Sequence, residues 1–304
     1  MTDDSDASML VPRPDQLHKA GSRVDRGQRA IMRVLNDELG SRSSSFGSVR
    51  SLQRGLAVLQ AVNQHNGLTS SQVARSAGIP RPTAYRLLET LEGLGFVVKG
   101  ASDETWRPTL LTKSLGSGYR EEDWVAQIAA SKMAKLGKEV LWPIDLVTFR
   151  DYAMEVRAST HDTSPFSLDH GMVGRRLPVL ETSGGRAHLA FCTKVERDQI
   201  LEGLRKKRGI NGEICLPDGW LSKILRRCQS LRVGYRSTGF NSRTMSISAP
   251  VMKNGRPISC LTMIWIASAL DFEKAIELYR DALISTADEI SEELSGLELP
   301  NRVL

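Results

Sequence analysis

The stretch from Thr69 to Gly95 constrains the fold of this chain more than any other, because it predicts two short helices joined by a tight turn. Small and apolar residues fall where two crossed helices make contact, at Val73, Ala74, Ala77, Ile79, Ala84 and Leu87. Gly78 stands at the turn, where the absence of a Cβ atom permits a positive φ. The pattern is typical of a helix-turn-helix, whose second helix enters the major groove of DNA. An αα-hairpin from an ordinary helical domain is the alternative.

Each helix of the pair also carries its own local signals. Thr69 followed by Gln72 predicts a capping box, and Pro82 lies in the first turn of the second helix, where a missing N–H costs nothing. Gly95 stands where a C-terminal glycine cap belongs. The apolar stripe of the second helix consists of Leu87, Leu88, Leu91 and Leu94. The candidate DNA-contacting residues of the pair are Ser71, Arg81, Pro82, Thr83, Tyr85 and Arg86.

A β-hairpin pattern follows the second helix. Residues 96–99 are β-prone, residues 100–104 supply a turn and residues 105–109 form the returning strand. A helix-turn-helix followed by such a hairpin is a winged helix, and its wing would bring Lys99 or Arg107 to a phosphate or to the minor groove. Upstream, an apolar stripe predicts a first helix that packs behind the other two, with Leu52, Leu56, Leu59 and Val62.

The net charge of +6 is concentrated on this domain. Residues 42–114 carry nine Lys and Arg against four Asp and Glu, a net charge of +5, whereas residues 1–41 sum to −1 and residues 115–304 to +2. Basic residues beside DNA displace condensed counterions, which gives an affinity that falls with salt. The location of the charge therefore favours DNA as a partner.

The rest of the 304-residue chain predicts a second domain of α+β class. One predicted hairpin joins LWPIDLVTF to YAMEVRAS, and a second spans TMSISAPVMKNGRPISCLTMIWI with Asn254–Gly255 as a type I′ turn. Helices are predicted for ETSGGRAHLAFC, VERDQILEGL, DGWLSKILRRCQS and, from a cap at Asp271, DFEKAIELYRDALISTADEISEEL. We divide the chain into a polar, flexible tail (1–46), a winged helix-turn-helix domain (47–110), a linker helix (111–124) and an effector-binding and oligomerisation domain (125–298).

Composition argues against several classes of protein. No run approaches the roughly 18 apolar residues of a membrane span, and the polar, acidic start MTDDSDASM does not resemble a signal peptide. The four cysteines lack CxxC spacing, which indicates reduced thiols and no zinc site; they are Cys192, Cys215, Cys228 and Cys260. We therefore expect a cytoplasmic protein with no membrane contact, metal or cofactor.

An enzyme is the rival hypothesis. The sequence contains no GxSxG, HExxH, Walker or GxGxxG motif. Ser183 and Gly184, with two histidines nearby, suggest a hydrolase, but ETSGGR is typical of a helix start with a closely packed glycine pair. We therefore expect no catalytic residues.

The chain resembles the IclR family of bacterial transcription regulators over roughly residues 48–297. The resemblance is carried by VRSLQRGLAVL, IPRPTAYRLLETLEGLGFV and the wing TWRPT. It implies a winged-helix domain, a linker helix and a GAF/profilin-like effector domain, assembled as a homodimer or a dimer of dimers. The stretches EVLWPIDLVTF, HGMVGRRLPVLETSGGRAHLAFC and SISAPV resemble those of activators of hydroxyphenylpropionate and related aromatic-acid catabolism.

The resemblance also implies an effector site. Ser246 and Thr262 fall on strands where the family contacts small carboxylates. The family's usual acidic cluster is replaced by GFNSRTM at 239–245, and Ile264 replaces an often polar residue, which favours an apolar or aromatic ligand. An arginine pairs bidentately with a carboxylate, and a flat apolar slot holds an aromatic ring. The candidate effector-binding residues are Trp142, His170, Met172, Arg175, Leu177, Ser246, Ser248, Thr262 and Trp265.

Several of these residues keep a second interpretation. Trp142 and Trp265 also suit a hydrophobic core, and Arg175 with Arg176 suits a solvated loop or an interface. His170 also suits a purely structural role.

The function predicted from the sequence is ligand-responsive transcription regulation, with activation of an aromatic-acid catabolic operon on binding a small aromatic carboxylate. A repressor that responds to another small carboxylate, and a constitutive repressor whose second domain only dimerises, are the alternatives. The expected partners are double-stranded DNA with a pseudo-palindromic operator, the effector, a second copy of the chain, and RNA polymerase.

Overall fold

The computed structural model describes residues 49–65, 67–115, 124–208 and 219–296. The tail assigned to residues 1–46 lies outside these residues, as do Cys215 and residues 116–123, which form most of the predicted linker. Cys192, Cys228 and Cys260 are buried free thiols. Within the described ranges no helix is long and apolar enough to cross a membrane, and no three metal-ligating side chains come together.

The N-terminal domain contains three helices and a hairpin: α1 (Arg50–Gln64), α2 (Ser70–Ala77), α3 (Arg81–Gly93), β1 (Val97–Lys99) and β2 (Trp106–Pro108). Its core is formed by Val58, Val62, Val73, Leu88 and Trp106, among others. The predicted stripe on the first helix extends only part of the way, because Leu52 and Leu56 are 61% and 52% exposed. Leu94, expected in the stripe of α3, is exposed as well.

The predicted caps of the helix pair are confirmed. Thr69 Oγ1 accepts a hydrogen bond from the Gln72 amide, and the Gln72 side chain accepts one from the Thr69 amide at 2.8 Å. Gly78 adopts the left-handed conformation with φ of 66°, and Gly95 follows α3 with φ of 79°. These positions fix where α2 begins and where α2 and α3 end.

The C-terminal domain is an antiparallel sheet with helices on both faces. After α4 (Leu110–Ser114), a π-helical turn (Val125–Ala129) leads into the remaining elements: α5 (Ala130–Val140), β3 (Ile144–Arg150), β4 (Ala153–Ser159), β5 (Arg176–Pro178), α6 (Ser183–Phe191), α7 (Lys194–Arg208), α8 (Trp220–Leu231), β6 (Gly234–Arg236), β7 (Thr244–Lys253), β8 (Arg256–Ile266) and α9 (Phe272–Ser295). The described strands of this sheet follow the order β5-β4-β3-β8-β7-β6. Both predicted hairpins are present, and Asn254 and Gly255 have the positive φ values of a type I′ turn.

Two short strands, β5 and β6, were not predicted, because three residues are too few to show a period of two. Arg176 lies on the edge strand β5, opposite Glu155 of β4. Its guanidinium donates to the carbonyl oxygens of Arg150 and Asp151. The interpretation of Arg176 as part of a solvated loop is therefore wrong.

The two faces of the sheet pack against different helices. Leu261, Met263 and Trp265 of β8 point toward α5 and α9 and belong to the larger core. The alternate residues of β8, Cys260, Thr262 and Ile264, point to the face that α6 partly covers. This second face is incompletely filled, and a cavity lies there.

Candidate functional site

The candidate DNA-contacting residues of the helix pair are accessible. Arg81, Pro82, Tyr85 and Arg86 of α3 are exposed, and Thr83 and Ser71 are half-buried. The Tyr85 ring packs edge-on against Trp106, with 6.4 Å between the ring centroids, and Trp106 Nε1 donates to Ser70 Oγ at 3.0 Å. Trp106 of the wing therefore contacts both α2 and α3, so that these three elements pack together.

Both predicted cations of the wing have acidic partners within the wing itself. Lys99 Nζ lies 2.5 Å from Glu104 Oε2, and Arg107 pairs with Asp103. The hydrogen bond to Glu104 raises the pKa of Lys99, and hydrogen bonds from Thr105, followed by Arg107, lower the pKa of Asp103. Because exposed ion pairs are weak, a DNA phosphate can replace either acidic partner.

The cavity in the second domain has a volume of about 110 Å³. The polar side chains on the sheet face that lines the cavity form its floor, and the strand register arranges them in two adjacent rows across the sheet. One row places Asp145 opposite Thr262, and Thr262 opposite Ser248. The other row places Ile264 opposite Ser246, and Ser246 opposite Arg236. Hydroxyl, carboxylate and guanidinium groups from strands β3, β8, β7 and β6 thus share one face of the sheet.

The N-terminus of α6 lies directly on this floor. A Cβ atom on Gly184 would lie 2.6 Å from Val147 Cγ2, and one on Gly234 would lie 2.1 Å from the Ser183 carbonyl oxygen. Only glycine therefore allows helix and sheet to approach this closely. Thr182 caps the helix through its Oγ1, and the amide groups of the first turn are positive and favour an anion.

Serine and threonine hydroxyls connect the helix to the strands. Ser183 Oγ donates to Ser246 Oγ at 2.8 Å, and the hydroxyls of Ser248 and Thr262 are also 2.8 Å apart. Both pairs are buried. The first pair joins the first turn of α6 to β7, and the second joins β7 to β8.

Two buried arginines, Arg186 and Arg236, and the half-buried Arg175 make the region around the cavity cationic. Arg236 donates to the Asn241 carbonyl oxygen and to the carbonyl and hydroxyl oxygens of Thr244. Arg175 donates to the His170 carbonyl oxygen, and Arg186, behind the lining, to those of Leu180 and Tyr235. Burial lowers the pKa of Arg236 to about 10 and also lowers the pKa of the other two groups. Among the described residues, none of the three guanidiniums is in an ion pair, so the cavity favours an anionic ligand.

An acidic residue and a histidine line another part of the cavity. His161 Nε2 lies 3.7 Å from Asp145 Oδ2, and both side chains are 3% exposed. The Ser167 hydroxyl donates to the Asp169 carbonyl oxygen at 2.7 Å, so its oxygen accepts from His161 Nδ1 at 2.6 Å. Burial opposes a charge on His161, but the carboxylates of Asp145 and Asp169 outweigh it and raise the pKa of His161.

Part of the cavity is lined by the N-terminal domain. Gln64 and His65, at the end of α1, and Arg75 and Ser76, in α2, lie along it. Burial, followed by the charge of Arg175, lowers the pKa of His65. The helix-turn-helix and the cavity therefore share a contact surface.

The structure places the predicted effector-binding residues in different surroundings. Met172, Arg175, Leu177, Ser246 and Thr262 line the cavity. Ser248 lies next to it and is hydrogen-bonded to Thr262. Arg175 is half-buried and lines the cavity, so it is not fully solvated.

Trp142, Trp265 and His170 do not line the cavity. Trp142 packs on Phe166 in the core on the other side of the sheet. Trp265 follows Ile264 on β8 and therefore points to the opposite face, where its Nε1 donates to the Leu270 carbonyl oxygen. The His170 side chain is 45% exposed. The core interpretation of both tryptophans is the one that agrees with the fold.

Other cavity residues were missed at the sequence level: Asp145, His161, Asp169, Thr182, Ser183, Arg236, Phe240, Asn241 and Thr244. Asp145 had a visible signal, because it interrupts an otherwise apolar strand. Arg236 had no such signal in the sequence, because β6 is too short to be recognised. Only the pairing of β6 with β7 brings Arg236 beside Ser246.

A family model described as the IclR helix-turn-helix domain matches residues 51–100, which contain the helix pair and the first strand of the wing. The chain carries an IclR helix-turn-helix domain. It is similar to the transcriptional regulator KdgR of Escherichia coli K12, with 22% identity over 83% of this chain and 95% of KdgR. It is also similar to the regulator TsaQ1/TsaQ2 of Comamonas testosteroni, with 28% identity over 55% of this chain and 60% of the relative. The match to the repressor IclR of E. coli K12 has 24% identity over 53% of this chain and 58% of the relative.

Two solved structures show the same fold. The IclR protein of Thermotoga maritima has a TM-score of 0.53 and 19% identity, over 81% of this chain and 98% of that one. An IclR regulator from Alicyclobacillus acidocaldarius has a TM-score of 0.51 and 19% identity, over 82% of this chain and 100% of that one. The α+β class, with an N-terminal helix-turn-helix and a C-terminal antiparallel sheet, is therefore confirmed.

Proposed function

We propose that this protein is a DNA-binding transcription regulator whose affinity for its operator is set by a small carboxylate bound in the cavity. The observation that carries the proposal is that residues of the helix-turn-helix domain, His65 and Arg75, line the same cavity as Arg236 and Ser246. A ligand in this cavity would contact, or alter, the surface on which the DNA-binding domain rests. The similarity to characterised transcription regulators supports the same conclusion.

The cavity supports a carboxylate as the anionic group. The first turn of α6 offers a positive helix terminus, and Ser246 and Thr262 offer hydroxyls. Arg236 contributes a positive charge that forms no ion pair within the part of the chain that the structure describes. We assign the carboxylate to this corner of the cavity. Because α6 is held there by hydrogen bonds to the sheet, the corner is already formed before the ligand binds.

The remaining walls favour a single aromatic ring. Most of the surface of these walls is apolar and comes from Val147, Met154, Met172, Leu177 and Ile264. The volume of about 110 Å³ is of the same order as the engineered cavity of about 150 Å³ that binds benzene. We therefore propose an aromatic carboxylate as the effector and activation of an aromatic-acid catabolic operon as the response. Repression in response to another small carboxylate is the alternative.

The proposed mechanism is a population shift. An aromatic acid would stabilise one arrangement of the helix-turn-helix domain against the cavity. A coupling of about 1–3 kcal/mol would change operator affinity roughly five- to 150-fold. Exposed apolar side chains on α1 and α4, including Leu52, Leu56 and Leu110, support assembly as a homodimer or a dimer of dimers. A twofold assembly requires a pseudo-palindromic operator, and an activator would also contact RNA polymerase.

The test is fluorescence anisotropy on DNA from the region upstream of the protein's own gene. The full chain is titrated at two salt concentrations against unrelated competitor, with and without 3-(3-hydroxyphenyl)propionate. Competitor-resistant binding that shifts with the acid is expected. Specific binding that no aromatic acid alters would support a constitutive repressor, and binding that is only sequence-blind would contradict the regulator.

The Arg86→Ala variant separates DNA binding from ligand binding. Arg86 is exposed on α3, and a side chain that contacts a base contributes about 1–3 kcal/mol. Operator affinity should therefore fall roughly five- to 150-fold while ligand affinity is retained. Arg280→Ala is the matched control, because Arg280 lies on α9 of the other domain and pairs with Asp281. Loss of both activities in Arg86→Ala would indicate misfolding.

A further inference from the structure

Asp145 lines the cavity, and within the described residues one of its buried carboxylate oxygens has no hydrogen-bond donor. It is the acidic residue within the apolar strand β3, and its side chain is 3% exposed. Among the described residues no donor reaches Asp145 Oδ1, and His161 Nε2 also has no hydrogen-bond partner. The great majority of buried polar groups in proteins have a hydrogen-bond partner, because a buried group without one costs desolvation free energy. An unpaired carboxylate oxygen on a cavity wall is therefore suited to a donor on the ligand.

The position of Asp145 relative to the carboxylate corner defines the shape of that ligand. Asp145 lies on β3, opposite Thr262 of β8, whereas Ser246 lies on β7, on the far side of β8. Adjacent strands are about 4.8 Å apart, and Ser246 is paired two residues further along β8 than Asp145. The two residues are therefore separated by two strand spacings across the sheet and by two residues, roughly 6.8 Å, along it. Thr262 and the apolar side chain of Ile264 lie on β8 between these two positions, whereas Val147 lines the cavity beyond Asp145 on β3. This spacing suits a ring that carries a carboxylate at one end and a donor at the other.

The surrounding charges select the kind of donor. An ammonium group would have to enter a region that contains the Arg175 and Arg236 guanidiniums and the imidazole of His161. The carboxylates of Asp145 and Asp169 only partly balance these groups. A neutral hydroxyl donates to Asp145 Oδ1 without adding a further positive charge to a buried site.

We propose that Asp145 is the specificity-determining residue of the cavity and accepts a hydrogen bond from a hydroxyl group of the effector. The effector is accordingly a hydroxylated aromatic carboxylate rather than the unsubstituted acid. This inference rests on the proposed function for the presence of a carboxylate ligand and adds the group that the second end of the cavity recognises.

The test combines two ligand pairs with two variants. Isothermal titration calorimetry on the full chain compares 3-(3-hydroxyphenyl)propionate with 3-phenylpropionate, and 3-hydroxybenzoate with benzoate. The wild-type chain should bind a hydroxylated acid roughly tenfold or more tightly than its unsubstituted partner, as expected for a hydrogen bond to a charged group. Asp145→Asn should lose most of that preference while its affinity for the unsubstituted acid stays within about twofold. Glu155→Gln is the control for loss of one negative charge, because Glu155 lies on β4 opposite Arg176 and does not line the cavity.

Several results would overturn the inference. Equal loss of affinity for both members of a pair in Asp145→Asn would make Asp145 a structural residue. Equal affinity of the wild-type chain for both members, tighter binding of 3-aminobenzoate than of 3-hydroxybenzoate, or no binding of any acid would contradict hydroxyl recognition. Hydroxyl-selective binding that depends on Asp145, without any effect on operator affinity, would leave the inference standing and refute the proposed regulation.

Discussion

The hydroxyl of Ser183, the first residue of α6, donates to the hydroxyl oxygen of Ser246 in β7 at 2.8 Å. Both side chains are buried and both line the cavity. The hydrogen bond therefore fixes a helix N-terminus, which favours an anion, against the strand that supplies a further polar group. The geometry of the proposed carboxylate corner depends on this contact.

Ser246→Ala should weaken ligand binding. The change removes a hydroxyl from the carboxylate corner and leaves the Ser183 hydroxyl without its acceptor, and each effect is worth about 1 kcal/mol. We expect the dissociation constant for the effector, measured by calorimetry, to rise roughly five- to thirtyfold. Ser259→Ala is a matched control, because Ser259 is buried on β8 but does not line the cavity. Equal effects of the two variants would contradict a role for Ser246 at the ligand.

Gly234→Ala should separate α6 from the sheet. A Cβ atom at this position would lie 2.1 Å from the Ser183 carbonyl oxygen and 2.5 Å from the Ala187 amide nitrogen. Because the clash is with backbone, relief requires a shift of the helix, and overpacking of this kind costs about 1–3 kcal/mol. The midpoint of denaturant unfolding should fall, and ligand affinity should fall with it.

Gly55→Ala is the control for the Gly234 variant. Gly55 lies inside α1, and a Cβ atom there would meet nothing within 4 Å. Alanine in a helix interior is favoured over glycine by up to about 1 kcal/mol, so this variant should be unchanged or slightly more stable. An unaltered Gly234→Ala protein would show that the helix can move without cost to the cavity.

Local signals in the sequence were sufficient to predict the helix pair, the wing and the two long hairpins. The capping box at Thr69, the positive φ at Gly78 and the Asn254–Gly255 turn each depend on a few neighbouring residues, so their chemistry is visible in a short window. Side-chain alternation was less informative for β8. It lies between two layers of helices, and apolar residues occupy both of its faces, so the pattern did not show which face Trp265 would take.

The cavity required long-range information. Asp145 meets Thr262 only through the pairing of β3 with β8, and Arg236 meets Ser246 only through β6. The family resemblance was enough to select Ser246 and Thr262, because it indicated which strands contact the ligand. It did not select Asp145 or His161, whose significance depends on distances and on a missing hydrogen-bond donor.

Lys99→Ala should weaken binding to all duplexes alike. Lys99 pairs with Glu104 on the wing, and a DNA phosphate would take the place of that carboxylate. Loss of one phosphate contact should reduce the slope of log affinity against log salt by about one and leave the preference for the operator over competitor unchanged. Anisotropy at several salt concentrations measures both quantities. Lys274→Ala, which removes a similar exposed pair with Glu277 on α9, should change neither.

The His161–Asp145 pair should make stability depend on pH in a defined direction. Burial alone would lower the pKa of His161, but Asp145 and then Asp169 raise it above the ordinary value of 6.5. A pKa that is higher in the folded than in the unfolded state gives stability that is fully present below about 6.5 and is lost as pH rises through the folded value. The free energy of unfolding that is lost in His161→Gln should therefore be larger at pH 5.5 than at pH 8.5. The difference is about 1.4 kcal/mol for each unit by which folding raises the pKa of His161.

Denaturant unfolding at the two pH values measures this difference. The Asp145→Asn background provides the control, because without the carboxylate the cause of the elevated pKa is largely removed. In that background burial, which lowers the pKa of His161, is opposed only by Asp169, so the larger cost of His161→Gln at pH 5.5 should be lost or reversed. A cost of His161→Gln that is larger at pH 8.5 in the wild-type chain would mean that burial outweighs the carboxylates and that His161 is neutral in the folded protein. His161 would then not be a cationic partner of the Asp145 carboxylate.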